Sequence, residues 1–582
     1  MLASENSSTM KAFFRDRGLS LALVVVIMFL IAISQGGISS SFALGRLRNH
    51  LPIETPLIVS VLFALQGVLL TLVIMFWTRS GLLGMRSSMK WPQVAARVVG
   101  MIVLIAAAIL VLGGCATRPI NPPISHVDPN SGYRFEVRQG RSNDKDDLII
   151  LAFSGGGTRA AAFSYGVLEF LQRTEVIDSK NRKTRLLDEV DVITGVSGGS
   201  FTALAYGLYG DKLFADYEQR FLKRDVQGEI IARAFSPLYW GRLSGTGWGR
   251  SELAAELYDE ILFNGATFAD LERGNGPMII ASATDIASGT RFLFHQALFD
   301  MICSDLDVVR LSRAAASSSA VPVVLSPVTF NNYSGTCGFV FPGWLKPFVD
   351  SANPPRPAAR AIDSLTDAEG AYSDSKDRPY LHLVDGGVAD NVAMRGVLDW
   401  LEIVEALDEA GVPTHLTNAR RIIVFVVNSL SSPPSHWDAS ENPPGAVDLL
   451  LQATGVPIDH YSRDSVELLK DIAARWQDRR EIRESVTIKP NANPAVPDLL
   501  RVPSAQIYAI DVSFAALKDK AERAYLNAQP TSFVLPAEAV DRLRAAAGTI
   551  ILASPEFQRL LKDLGTNLVT IPVASPDPAM AP

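Results

Sequence analysis

Cysteine and histidine are scarce, at 3 and 7 in 582 residues. So few cysteines exclude a small disulfide-built scaffold, and no Cys/His group has metal-ligand spacing, so no metal or other cofactor is expected. Charge is limited to 20% of residues, and its sign is wrong for nucleic acid. Residues 1–114 carry 9 Lys+Arg against 3 Asp+Glu, which leaves the rest at −13 within a total of −7. An acidic body lacks the clustered Lys and Arg that a phosphate backbone requires, so no nucleic-acid partner is expected. Apolar residues are plentiful at 48%, which excludes a disordered chain and allows a large core.

Three uncharged apolar runs occupy the N-terminal segment: 19–38 (charge-free and most apolar over Leu19–Ser34), 56–77 and 98–112. A spanning helix needs about 20 apolar residues, which the first two provide. The third is shorter. Lys90 and Arg97 precede it and Leu112-Gly113-Gly114-Cys115 follows, the order of a secretory signal. Leu-Gly-Gly-Cys resembles a bacterial lipobox, which would make Cys115 a lipid-anchored N-terminus; the alternative is a third transmembrane helix. Lys11, Arg15 and Arg17 before the first run, and Arg79, Arg86, Lys90 and Arg97 after the second, outweigh Arg46 and Arg48 between them. By the positive-inside bias, everything beyond residue 112 lies outside the cytoplasm, on the periplasmic side of a bacterial envelope. Met85 and Met89 stand where a lipoprotein signal would begin, so either competes with Met1 as the start.

Residues 115–146 are polar and proline-rich and read as a tether, with order beginning near Asp147. Beyond it, β-type runs alternate with helical ones: Leu148–Phe153, a helix over Ala161–Arg173, Val190–Thr194, a helix from Phe201, Met278–Ser282, Leu381–Val384, a helix over Val397–Leu407, and Ile422–Val427. Such alternation predicts an α/β domain over 147–430 with a mostly parallel sheet. Residues 431–573 show helical periodicity at Val466, Leu469, Ile472 and Trp476, which predicts a mainly helical extension, and 574–582 form a Pro/Ala-rich tail.

Chemistry concentrates at three predicted strand ends. The first leads into Ser154-Gly155-Gly156-Gly157-Thr158-Arg159, where glycines let backbone N–H groups converge at a helix N-terminus, an anion site. No Gly-Lys-Ser/Thr follows, so it is not a Walker A loop. Gly155, Gly157 and Ala160 fit dinucleotide spacing loosely, with Asp178 as the ribose acid, but Val176-Ile177 is a short strand to present it. The second is Gly195-Val196-Ser197-Gly198-Gly199 between a strand and a helix, the setting of a nucleophile elbow, with Gly195 and Gly199 on either side of the serine. The third is Asp385-Gly386-Gly387. Alone it reads as a turn; at the carboxyl end of a sheet strand it reads as part of a site.

In this order the three segments resemble the signatures of patatin-like phospholipases. Ala316 to Pro322 and Ala283-Thr284-Asp285 with Phe292 to His295 echo the family more weakly. Ala160 and Ala393 depart from its pattern, where the last Gly of the first motif and a Pro are usual. The likeness covers about Asp147 to Asn428. It implies a three-layer α/β fold and a membrane-anchored lipid acyl hydrolase with a Ser197–Asp385 dyad working through an acyl-enzyme. Gly155, Gly156 and Gly157 with Arg159 would form the oxyanion hole, and the substrate would be a membrane lipid or phospholipid. Two alternatives stand: an α/β-hydrolase triad drawing on His415, His436 or His460, and a catalytically silent membrane-tethered binding protein.

Cys303 and Cys337 are the other cysteines. An isolated pair in an extracytoplasmic body is expected to be bridged around the Ala316–Pro322 segment.

Overall fold

The computed structural model describes residues 117–139, 147–177, 181–245, 247–412, 419–432, 441, 444–485 and 505–565. The three apolar runs, Cys115, Asp178, His415, His436 and the tail 574–582 lie outside the described residues. Among the described residues, no helix is long and apolar enough to cross a membrane. The chain divides into two compact units: Met1–Arg118 with Ile231–Arg250, and Pro119–Ile230 with Ser251–Pro582. The described part of the first contains a helix, Pro237–Leu243, whose Arg242 guanidinium lies 4.0 Å from the centroid of the Trp248 ring.

The second unit is built on one mixed sheet. Its strands are β1 (Asp147–Phe153), β4 (Val190–Val196), β5 (Met278–Asp285), β6 (Arg291–Leu293), β7 (Val328–Asn331), β8 (Tyr380–Asp385), β9 (Arg421–Asn428) and β10 (Gln506–Ser513), while β2 (Glu175–Ile177) and β3 (Lys183–Arg185) form a separate antiparallel ribbon. The order is β10-β9-β1-β4-β5-β8-β7, with β6 on β5. From β10 to β5 all pairs are parallel; β6, β7 and β8 join antiparallel. The inner strands β1 and β9 are near-continuous runs of Ile, Leu, Val and Phe, as expected where helices cover both faces of a sheet. Ile279 meets Gly207 of the helix Gly198–Tyr209 on one face. Ile280 shares a cavity with Val397 and Trp400 of the helix Arg395–Glu409 on the other.

Two expectations are corrected. Residues 119–138 are no loose tether: Asn121 hydrogen-bonds Ser304, Tyr133 is fully buried, and Arg134 pairs with Asp300 at 2.6 Å. The Arg134–Asp300 pair is itself almost wholly buried, so this segment is packed before Asp147 is reached. The region after residue 430 is not a separate helical extension. Its strand β10 pairs with β9 over its whole length, from Gln506 opposite Arg421 to Ser513 opposite Asn428. Helical periodicity after Asn428 is real in Ala446–Ser485, but the apolar run Ile507–Ile510 is a strand because it caps an otherwise open sheet edge.

Candidate active site

Two parallel strands and one antiparallel strand deliver the site. β4 and β5 run side by side with Val196 opposite Ser282, and β8 runs back against β5 with Asp385 opposite Ala283. The carboxyl ends of β4 and β8 therefore flank β5 one residue apart, although the strands point in opposite directions. Ser197 and Asp385 emerge at the same level. The Ser197 hydroxyl faces the Asp385 carboxylate closely enough to pull its pKa down.

Ser197 sits between β4 and the helix Gly198–Tyr209 with φ 47° and ψ −120°, a conformation costing on the order of 1–3 kcal/mol for a side-chain-bearing residue. Its surroundings hold it there. The Ser197 N–H donates to Ser318 Oγ at 2.9 Å, and its carbonyl accepts the Ser200 N–H at 3.0 Å. Gly198 lies so close to the first loop that a Cβ would stand 1.9 Å from the Gly157 carbonyl oxygen. Gly195 packs against Ser200, and Gly199 against the carbonyls of Phe153 and Ser154.

Asp385 is 8% exposed and Ser197 4%. Burial pushes the Asp385 carboxyl up from 3.8 to about 6, against the opposing pull of the Gly387 N–H, which it accepts at 2.8 Å, and of the Ser197 hydroxyl. The segment Ser318–Ala320 ties both residues together: the Asp385 N–H donates to the Ala320 carbonyl and the Gly386 N–H to the Ser318 carbonyl. The Ala-Ser-rich stretch thus acts as a brace shared by both site residues.

The first loop, Ser154–Gly157, turns from β1 into the helix Gly157–Arg173, with Gly156 at φ 139° and Gly157 at φ 61°. Gly155 does not fit the expected donor set, because its N–H is committed to the Asn391 carbonyl at 2.8 Å. Among the described residues, the N–H groups of Gly156 and Gly157 have no acceptor. Arg159 is a cross-tie behind the loop. It is buried, and it donates to the carbonyls of Ser429 at 2.7 Å and Gln529 at 2.8 Å and to the Thr531 hydroxyl at 3.2 Å. Burial lowers its pKa to about 10, so it remains a cation. The Thr158 N–H donates to the Ser532 carbonyl, so residues 529–532 back the loop directly.

Tyr258, which carries no sequence signal, is fully buried with its hydroxyl beside Ser319 and within electrostatic reach of Asp385. Histidine does not join them: among the described residues, none acts on Asp385. His382 bonds Thr329 and His460 is exposed. The ribbon position of β2 removes the sheet strand that a dinucleotide site would need before Asp178. Cys303 and Cys337 are disulfide-bonded with Cα atoms 5.4 Å apart. Among the described residues, no group of three His, Cys, Asp or Glu side chains is placed to hold a metal.

Comparison with curated proteins gives no match. Among solved structures, human GIVD cytosolic phospholipase A2 in complex with methyl gamma-linolenyl fluorophosphonate is 15% identical with a TM-score of 0.32, the match covering 80% of this chain and 64% of that one. A second structure of human GIVD cytosolic phospholipase A2 is 14% identical with a TM-score of 0.31, the match covering 80% of this chain and 65% of that one. The chain therefore spans just under two thirds of those structures. Residues 151–398 match the model of the patatin-like phospholipase family, a shorter span than the 147–428 read from the motifs.

Proposed function

We propose that the protein is a membrane-anchored serine acyl hydrolase of lipid esters, using Ser197 as nucleophile and Asp385 as base. The observation that carries this reading is Ser197 held in its strained turn and facing the buried Asp385 carboxyl, which burial raises to about 6. A carboxylate at its ordinary pKa is a poor base, and this shift brings it toward the operating pH. Asp385 takes the Ser197 proton as Oγ attacks the ester carbonyl. The N–H groups of Gly156 and Gly157 stabilise the oxyanion, and Asp385 returns the proton to the departing alcohol. Water, deprotonated by Asp385, then releases the acid and restores the serine. Arg159 acts as a positioning residue behind the loop.

The membrane setting rests on the sequence. The runs 19–38 and 56–77 would span the bilayer, Cys115 would carry lipid, and the catalytic unit would face the periplasm. The Cys303–Cys337 bridge agrees with an oxidising compartment.

The test is hydrolysis of a lipid panel by the full chain, with and without Ser197→Ala, beside fluorophosphonate labelling. Labelling at Ser197 and loss of turnover by several orders of magnitude in the variant are expected. Equal turnover by Ser197→Ala would end the assignment. Mass spectrometry showing an unmodified Cys115 would end the lipid-anchor reading.

A further inference from the structure

The stretch Ile231–Arg250 turns its apolar side chains outward. Phe235 is 70% exposed and Leu238 78%, and Ile231 and Trp240 are exposed as well. Ile231 and Phe235 stand four residues apart in the last turns of the helix Val226–Phe235, so they share one face. The chain then turns at Ser236, whose N–H donates to the Arg233 carbonyl at 3.1 Å and whose carbonyl accepts the Tyr239 N–H at 3.0 Å. The helix Pro237–Leu243 follows at once, and within it only Gly241 is buried. Phe235 and Leu238 therefore stand on the two sides of one tight corner, both in water. Large apolar side chains gathered in this way mark an interaction surface.

Composition selects the partner. From Ile231 to Arg250 the sequence carries Arg233, Arg242 and Arg250 and no Asp or Glu. Trp, Phe and Leu beside Arg make up a segment that lies in the plane of a lipid interface, with its apolar side chains in the boundary between headgroups and acyl chains. Having no acid, the stretch meets no repulsion from anionic lipid. A second copy of the chain set against the same face would bring like charges together.

Chain connectivity puts the stretch near the bilayer. Arg118 lies against Gly247, where a Cβ would stand 3.1 Å from Arg118 Cδ. Cys115 is three residues before Arg118, a reach of at most about 11 Å. Whether Cys115 carries lipid or 98–112 is a third span, the chain leaves the membrane just before Arg118, which keeps the loop around Gly247 close to the lipid surface. We propose that Phe235, Leu238 and Trp240 insert into the headgroup layer of the bilayer that anchors the chain. The inference rests on the membrane anchor of the proposed function and does not depend on the chemistry of Ser197.

The test is photocrosslinking of the full chain, carrying Ser197→Ala so that lipid is not consumed, in vesicles of equal parts phosphatidylethanolamine and phosphatidylglycerol. Phe235→p-benzoylphenylalanine and Leu238→p-benzoylphenylalanine are compared with Ile482→p-benzoylphenylalanine, an exposed apolar position of the other unit. Mass spectrometry after irradiation should find lipid adducts at 235 and 238 in at least tenfold higher yield than at 482. With the chain retained on the vesicles through an alkaline carbonate wash, adduct yields at 235 and 238 no higher than at 482 would overturn the inference and leave the anchor standing. Crosslinking of 235 and 238 to a second copy of the chain in place of lipid would also overturn it, by making this face a dimer contact. Release of the chain into the wash would overturn the anchor, and the inference with it. No turnover is read, so failure of the hydrolase reading stays separate from each of these results.

Discussion

The Ser197 N–H donates to Ser318 Oγ at 2.9 Å, across 121 positions of sequence. This bond holds a strained turn, and the next residues of the same segment hold the Asp385 strand end. Ser318→Ala leaves a buried N–H unpaired, at about 1–3 kcal/mol. The expected result is a folded protein with esterase activity down about tenfold to a hundredfold and kcat affected more than KM. Unchanged kcat would show that the brace does not position the serine.

The raised pKa of Asp385 sets two pH dependences. Acting as a base, it must be ionised, so activity should rise with pH through about 6. Stability runs the other way. The unfolded carboxyl loses its proton near 3.8 while the folded one keeps it to about 6, so the unfolded state binds fewer protons in that window and stability falls as pH rises across it. Asp385→Asn removes that loss. At pH 8 the variant should be inactive yet more stable by on the order of 3 kcal/mol, with the gain vanishing below about pH 4. Denaturant melts of both proteins at pH 4 and pH 8 check it, and equal stability at pH 8 would contradict the burial effect.

Removing residues 431–582 should prevent folding. The truncation exposes the whole β9 edge, takes away the Ser532 carbonyl that receives the Thr158 N–H, and strips Arg159 of its Gln529 and Thr531 partners. Expression of 119–430 should yield insoluble or molten protein by circular dichroism. A cooperative melt from that fragment would show that β10 is dispensable.

Reducing the Cys303–Cys337 bridge reopens a loop with a sequence separation of 34. By the loop-entropy relation this removes about 3–4 kcal/mol, while Ser197 and Asp385 keep their own hydrogen bonds. Cys303→Ser/Cys337→Ser should melt several degrees lower and still be labelled by a fluorophosphonate at Ser197. An unchanged melting temperature would mean that the bridge does not restrain the unfolded chain.

The sequence by itself determined the strand–glycine–helix turns and their order, because these are local facts. A glycine-flanked serine between a β run and a helical run specifies its turn whatever packs around it, and apolar runs specify buried strands. Position in space was not local. The reversal of β8 against β5, which brings Asp385 level with Ser197, depends on pairing partners 100 residues apart, such as Thr284 with Val384. The Gly155 N–H reads as an oxyanion donor until the Asn391 carbonyl is seen to occupy it. Arg159 reads as a site cation until its three partners show a cross-tie. Tyr258 and β10 carry no motif at all. What they do is set by burial and by a sheet edge that needs a partner, and both are properties of the assembled core rather than of any stretch of chain.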